Sequence, residues 1–312
     1  MEYLLLIVGF VLLIKGADFF VDGAASIAGK LKIPALIIGL TVVSMGTSLP
    51  EAAVSVSASL SGSNDISLGN VIGSNIFNLL MVVGISSIIM PIVTDKAVLK
   101  RDMPVNFGIT VVLLLMLLDG KLGRLDAIVL LVLFAAYMFL LFKSAKNSQD
   151  EEETPKEYSW LKSILLSVIG VAAIIGGGQL VVENAKSIAM TLGMGETLVG
   201  LTIVAIGTSL PELVTSIVAA KKNEPGIAMG NAVGSCIFNI LFILGITGAI
   251  KDITASGTFF VDTMILIGIN ALMFVFAFTK KKTDRWEGAV CVLVYVAYTA
   301  YIIMRAYGIG IF

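Results

Sequence analysis

The sequence predicts an all-α integral membrane protein. Ten transmembrane helices form two inverted-topology five-helix repeats, with helices 2, 3, 7 and 8 broken. Three observations carry that expectation. The 312 residues are 57% hydrophobic and only 14% charged, with a mean hydropathy of +1.00; a soluble domain carries about 25% charged residues. Apolar runs long enough to cross a bilayer recur along the chain. The two halves of the chain also repeat one another. The same composition excludes other classes. With 21 Lys and Arg against 22 Asp and Glu, net charge draws the chain toward no charged partner, nucleic acid included. There is no histidine to act as base or metal ligand. Cys236 and Cys291 lie inside apolar runs, which leaves no zinc motif and no disulfide framework.

The elements follow in order. The run 3–28 opens Met1-Glu2-Tyr3, without a basic leader or a small-residue cleavage site, and reads as a retained helix. Runs 35–60 and 66–92 carry the polar blocks described below. Runs 103–119 and 125–143 complete a first repeat, 1–143. The hydrophilic stretch 144–158, with Glu151–Glu153 at its centre, reads as a linker. Three adjacent acids without a glycine turn do not make an EF-hand loop. Runs 160–190, 196–220, 226–250, 258–279 and 285–308 fill the second repeat, 159–312, and Trp160 and Trp286 stand at span ends as interfacial anchors. Most of the basic residues fall in the loops after spans 1, 3, 5, 7 and 9, among them Lys30, Lys100, Arg101, Lys143, Lys221, Lys222 and Lys280–Lys282. The excess of basic charge on one side puts that side in the cytoplasm. Both termini are then expected outside a cell membrane and the linker inside. An odd number of spans per half inverts the second half relative to the first.

The repeat is explicit. Residues 39–86 and 200–247 align without a gap, and about 23 of the 48 positions are identical. The register extends back to Gly16 against Gly177 and Asp22 against Glu183. Membrane packing alone requires similar hydrophobicity. Here the most identical blocks are also the most polar. Opposed five-span repeats are an architecture of secondary transporters, which bind their cargo near the bilayer midplane on interrupted helices.

The first polar block is Gly46-Thr47-Ser48-Leu49-Pro50-Glu51, with its twin Gly207-Thr208-Ser209-Leu210-Pro211-Glu212. A proline inside a span has no N–H and clashes with the carbonyl four residues back, so carbonyls around Gly46 and Gly207 are expected to be freed. Thr47, Ser48 and Glu51 share a face at helical spacing. A glutamate at membrane depth is costly, and neither motif holds a Lys or Arg to neutralise it. The second block is Gly69-Asn70-Val71-Ile72-Gly73-Ser74-Asn75-Ile76-Phe77-Asn78, with its twin 230–239. Its glycines suit close helix packing. Ser74 with Asn78, and Ser235 with Asn239, place oxygens on one face. The donor set is carboxylates, hydroxyls, amides and freed carbonyls, which suits calcium, magnesium or sodium. Calcium accepts many oxygens in flexible geometry. Two carboxylates neutralise one divalent ion or two monovalent ions.

These paired motifs resemble the calcium:cation antiporter superfamily, specifically the prokaryotic sodium/calcium exchangers. G-T-S-L-P-E and G-N-x-x-G-S-x-I-x-N match the two alpha repeats of that family. The resemblance implies an antiporter, not an enzyme, with no cofactor and no obligatory protein partner; calcium and sodium are its transported ions. It implies that Glu51 and Glu212 are the central calcium ligands, shared with sodium. The carbonyls of Thr47 and Thr208 would complete the calcium site. Sodium sites would map to Ser48, Ser74 and the Ser44 carbonyl on one side, and to Ser209, Ser235 and the Ala205 carbonyl on the other. Asn78 and Asn239 would lie between the glutamates. Spans 1 and 6 would slide over the core in alternating access, exporting calcium on the sodium gradient. Some relatives, including potassium-dependent exchangers, carry Asp at the position of Asn239; Asn in both repeats argues against potassium co-transport. Calcium/proton exchange and a cation channel are the competing readings. Outside these blocks, Lys15, Asp18 and Asp22 read as an intrahelical charge cluster, and Asp262 as a solitary acid near an interface.

Overall fold

The computed structural model describes residues 1–62, 64–147, 158–193, 205–255 and 257–307. The first helix, α1, spans Glu2–Leu31. It ends where Lys32 turns left-handed (φ 53°) and its N–H caps the Ala28 and Gly29 carbonyls, with Pro34 just beyond. The next run is interrupted: α2 (Ala35–Ile38), a π turn (Gly39–Val43), α3 (Ser44–Thr47) and α4 (Leu49–Ser61). The axis bends by 47° between its two halves. Pro50 sits in the first turn of α4, where its missing N–H is tolerated, so the chain breaks at Ser48. Helices α5 (Asn64–Phe77) and α6 (Val83–Ile89) follow, joined by a π turn over Asn78–Val82. Then come strand β1 (Ile92–Val93), α7 (Met103–Met116), β2 (Lys121–Leu122) and α8 (Arg124–Asn147).

The second half begins with α9 (Trp160–Thr191), followed by α10 (Ala205–Thr208) and α11 (Leu210–Lys221). Next are α12 (Pro225–Phe238) and α13 (Leu244–Ile250), joined by a π turn over Asn239–Ile243. Strand β3 (Ile253–Thr254), α14 (Gly257–Lys280), β4 (Lys282–Thr283) and α15 (Arg285–Ala306) close the chain. Among the described residues, eight helices are long and apolar enough to cross a membrane, or nine if the bent run at Ser48 is one span. The expected span 196–220 lies partly outside the described residues, as does most of the linker 144–158, including Glu151–Glu153.

One expectation changes. Spans three and eight are continuous helices, Ile66–Ile89 and Pro225–Ile250, not broken ones. Neither has a proline in its interior. Each takes up a π turn instead, starting at Asn78 and Asn239. Such turns insert one residue into a helix and often occur at functional sites.

Polarity is arranged inside out. Large apolar side chains such as Leu4, Ile7, Val132, Phe139, Leu161 and Val168 are exposed, whereas Glu51, Glu212, Asn78 and Asn239 are fully buried. This suits a protein whose surroundings are hydrocarbon. Long helices α1 and α9 pack closely through glycines. A Cβ on Gly9 would come within 2.9 Å of the Gly177 carbonyl, and one on Gly16 within 2.9 Å of the Gly170 carbonyl. Ser26 and Ser163 extend the seam with a 2.9 Å hydroxyl contact. Elsewhere Asn106 of α7 donates to Asn270 of α14 at 2.7 Å, polar glue of the kind used between membrane helices.

Two short antiparallel ribbons tie the halves together. Ile92 pairs with Thr283 in one, and Leu122 with Ile253 in the other. Ile92 and Ile253 occupy equivalent places in the repeat, as do Leu122 and Thr283. Each ribbon therefore maps onto the other with its register kept. The hydropathy pattern held no sign of these ribbons, because two-residue strands leave no periodicity.

Candidate functional site

The interrupted helices bring the two polar blocks face to face. Ser48 lies at the break between α3 and α4, and Ser209 at the break between α10 and α11. From there the hydroxyls cross between the repeats. Ser48 donates to Glu212 Oε1 at 2.8 Å, and Ser209 donates to Glu51 Oε1 at 2.9 Å. Ser74 also donates to Glu51 Oε1, at 3.4 Å. Glu51 and Glu212 are both fully buried. Each keeps its other carboxylate oxygen, Oε2, without a protein partner.

A second pair of interactions supports the breaks. Asn70 Nδ2 donates to the Glu51 carbonyl at 3.2 Å and to Ser55 Oγ at 3.0 Å. Its twin, Asn231 Nδ2, donates to the Glu212 carbonyl at 3.1 Å and to Ser216 Oγ at 3.0 Å. Asn231 also accepts from Thr47 Oγ1 at 3.0 Å. These asparagines anchor the glutamate-bearing segments through the main chain. Both lie inside the second polar block, where sequence position alone assigns them no role. Only the packing of α5 on α4, and of α12 on α11, supplies one.

The repeats meet at Asn75 and Cys236. Asn75 Nδ2 donates to the Cys236 carbonyl at 3.1 Å, and the Cys236 thiol donates to the Asn75 carbonyl at 3.7 Å. The two positions are equivalent in the repeat and differ in residue type, so identity between the halves could not single them out. Asn239 Nδ2 donates to Asn75 Oδ1 at 3.1 Å. That bond leaves Asn239 Oδ1 buried and without a partner, and both polar atoms of Asn78 are in the same condition.

The remaining expected residues fall as follows. Ser44 Oγ bonds back to the Leu40 carbonyl at 2.9 Å, and the Ser44 carbonyl accepts from Ser235 Oγ at 3.4 Å. Thr208 is buried with its hydroxyl unpartnered. Ala205 begins the short helix before the break. The resemblance grouped Ser48 with Ser74 and the Ser44 carbonyl, and Ser209 with Ser235. The hydrogen bonds join Ser209 and Ser74 at Glu51. They also join Ser235 to the Ser44 carbonyl and Ser48 to Glu212. The reason is geometric: each break points its serine across the repeat interface.

Chemically, the cluster is a buried, oxygen-lined centre. Among the described residues no group of three or more His, Cys, Asp or Glu side chains could hold a metal. Two carboxylates with hydroxyl and amide oxygens therefore make up the donor set. A charged side chain at the centre of a span costs roughly 2.5–3.5 kcal/mol to insert. Among the described residues no lysine or arginine pairs with either glutamate. A hard cation would satisfy both.

Two readings of the outlying charges need correction. Asp18 and Asp22 are not an intrahelical cluster alone. Lys222, just after α11, reaches Asp22 Oδ1 at 2.7 Å and the Asp18 carbonyl at 2.7 Å. Asp262 is not solitary, since Arg305 forks onto both its oxygens at 2.9 and 2.8 Å. In both cases the partner lies far away in sequence, where helical spacing cannot reveal it.

Comparison with known proteins agrees with this geometry. Residues 1–143 and 162–304 match the family model described as sodium/calcium exchanger protein. The sodium/calcium exchanger MaX1 of Methanosarcina acetivorans is 34% identical over 339 residues, covering 95% of this chain and 97% of its own. The inner membrane protein YrbG of Escherichia coli is 38% identical over 262 residues, 79% of each chain. A solved structure of the sodium-calcium exchanger NCX_Mj, soaked with zero Na+ and Ca2+, superposes with a TM-score of 0.85 at 34% identity, covering 96% of this chain and 98% of that one. Whole-length family matches, similar relatives and a shared fold all point one way: the chain belongs to the sodium/calcium exchanger protein family, and is a membrane transporter, not an enzyme.

Proposed function

We propose that this chain is a sodium/calcium antiporter that uses the sodium gradient to export calcium by alternating access. The observation that carries the reading is the crossed pair of serine–glutamate hydrogen bonds, Ser48 to Glu212 and Ser209 to Glu51. It joins both repeats in one centre, so rearranging the halves must rearrange the site. Glu51 and Glu212 bind calcium directly and release it to sodium. The carbonyls of Thr47 and Thr208 add to the calcium site. Ser48, Ser209, Ser74, Ser235 and the carbonyls of Ser44 and Ala205 supply the sodium positions, with Asn78 and Asn239 between the acids. Competition follows from charge: one calcium or two sodium ions neutralise the two carboxylates.

The transmembrane layout belongs to the same proposal. Ten spans, five in each of 1–143 and 159–312, cross the cell membrane with both termini outside and the 144–158 linker in the cytoplasm. The ribbons support it. β1 and β4 follow odd-numbered spans, and β2 and β3 follow even-numbered ones, so each ribbon joins loops of one face. Their exchange under the repeat is what inverted halves require. The test is radioactive calcium uptake into proteoliposomes loaded with sodium. Uptake that collapses with the sodium gradient supports the reading. Uptake that follows a proton gradient alone reassigns the same glutamates to proton exchange, and uptake needing no counter-ion makes the protein a channel.

A further inference from the structure

A cavity of about 390 Å³ runs into the protein beside the site. Its lining includes Asn70, Ser74 and Thr208 together with Asp262, Tyr295 and Arg305. The Ser74 hydroxyl that borders it bonds Glu51. The cavity is thus an approach to the carboxylates, and a pair of opposite charges stands on its wall. Arg305 holds Asp262 in a two-pronged ion pair, and the arginine also packs on the Tyr301 ring at 5.2 Å. The Asp262 side chain is 6% exposed and that of Arg305 is 30% exposed. A guanidinium is an unexpected neighbour for a cation path. Asp262 cancels it at close range, and the fork geometry fixes the two charges together.

We propose that the Asp262–Arg305 pair is the charge filter of this approach, and that its balance sets how strongly calcium is favoured over sodium from that side. The inference rests on the exchanger reading. Its physics is specific. An electrostatic potential acts on an ion in proportion to its charge, so whatever factor it imposes on sodium occupancy it imposes squared on calcium. One unit charge acting through water over about 10 Å changes sodium occupancy about 2-fold and calcium occupancy about 4-fold, and more where the cavity wall lowers the effective dielectric. The filter also acts only from the face nearer the pair, since Asp262 lies near the start of α14 and Arg305 at the end of α15, which the proposed topology makes the outside.

The experiment measures half-saturating calcium and sodium in proteoliposomes of known orientation at pH 8, for wild type, D262N, R305M, R305K and the double variant D262N/R305M. D262N leaves an uncompensated cation. It should raise half-saturating calcium at least 4-fold and sodium about 2-fold on the face nearer the pair only. R305M leaves a lone carboxylate and should move both constants the other way. The double variant and R305K should sit near wild type, and added impermeant salt should shrink both single-variant shifts. Shifts of the same sign in D262N and R305M, or shifts equal for calcium and sodium, would overturn the filter and leave the pair a packing element. Calcium binding to the purified variants reads the same shifts where a variant transports too slowly. Failure of wild type to exchange calcium for sodium would instead overturn the exchanger reading, so the two failures are distinct.

Discussion

Glu51 and Glu212 are fully buried carboxylates with no lysine or arginine partner among the described residues. Their burial is costly, and each is held by a hydroxyl from the other repeat. Replacing either with Gln should abolish sodium-dependent calcium flux. It should also leave the purified protein folded, with a melting temperature equal to or above wild type in calcium-free detergent, because one buried charge is gone. Continued flux in E51Q or E212Q would remove them from the site. Twin geometry makes a second prediction. Ser48→Ala and Ser209→Ala each delete a hydrogen bond to a carboxylate, roughly 1.5–3 kcal/mol. Each should weaken sodium binding about 10-fold or more, to a similar extent, by calorimetry. A silent member of the pair would break the equivalence. At this scale much was legible in the sequence. The glutamates, serines and asparagines stood out because polar identity between two halves of an apolar chain has no packing explanation. What stayed hidden were contacts between positions that differ in the repeat. Asn75 on Cys236 and Arg305 on Asp262 carry no pattern that one chain can display.

Helices divide into a tightly packed pair and a core. The glycine seam holds α1 against α9, whereas α1 meets α11 through the Lys222 ion pair with Asp22. The first contact suits two helices moving as one body, and the second suits a contact that is made and broken. Oxidising a cysteine pair at Ser26 and Ser163, whose hydroxyls are 2.9 Å apart, should leave exchange unaffected. Cross-linking cysteines placed at Asp22 and Lys222 should arrest exchange, and reduction should restore it. Arrest by the first cross-link would contradict the pairing of α1 with α9 as one moving body. The existence and placement of most spans were readable from hydropathy, since a span of about 20 apolar residues has few alternatives. The breaks were readable only where proline forced them. In spans three and eight the backbone yields through a π turn at an asparagine, and no single residue type specifies one.

The whole molecule is an inside-out protein whose two polar blocks are joined by the Ser48–Glu212 and Ser209–Glu51 hydrogen bonds. Its duplication was legible because the repeat keeps its register without a gap. Its handedness across the membrane came only from the distribution of lysine and arginine. That layout is open to labelling. Cys236 and Cys291 are buried, so single cysteines introduced at Lys121 and Lys282 can be read against them with a membrane-impermeant maleimide. Lys121 should label from outside in intact cells and Lys282 only after permeabilisation. Both labelling from one face would refute opposed ribbons.

The most direct test of the central claim is calcium uptake into sodium-loaded proteoliposomes, with external sodium replaced by choline and the proton and potassium gradients set independently. The account predicts uptake that starts with the outward sodium gradient, needs neither potassium nor a proton gradient, and vanishes in E51Q and E212Q. Calcium uptake indifferent to sodium, or retained in both variants, would contradict it.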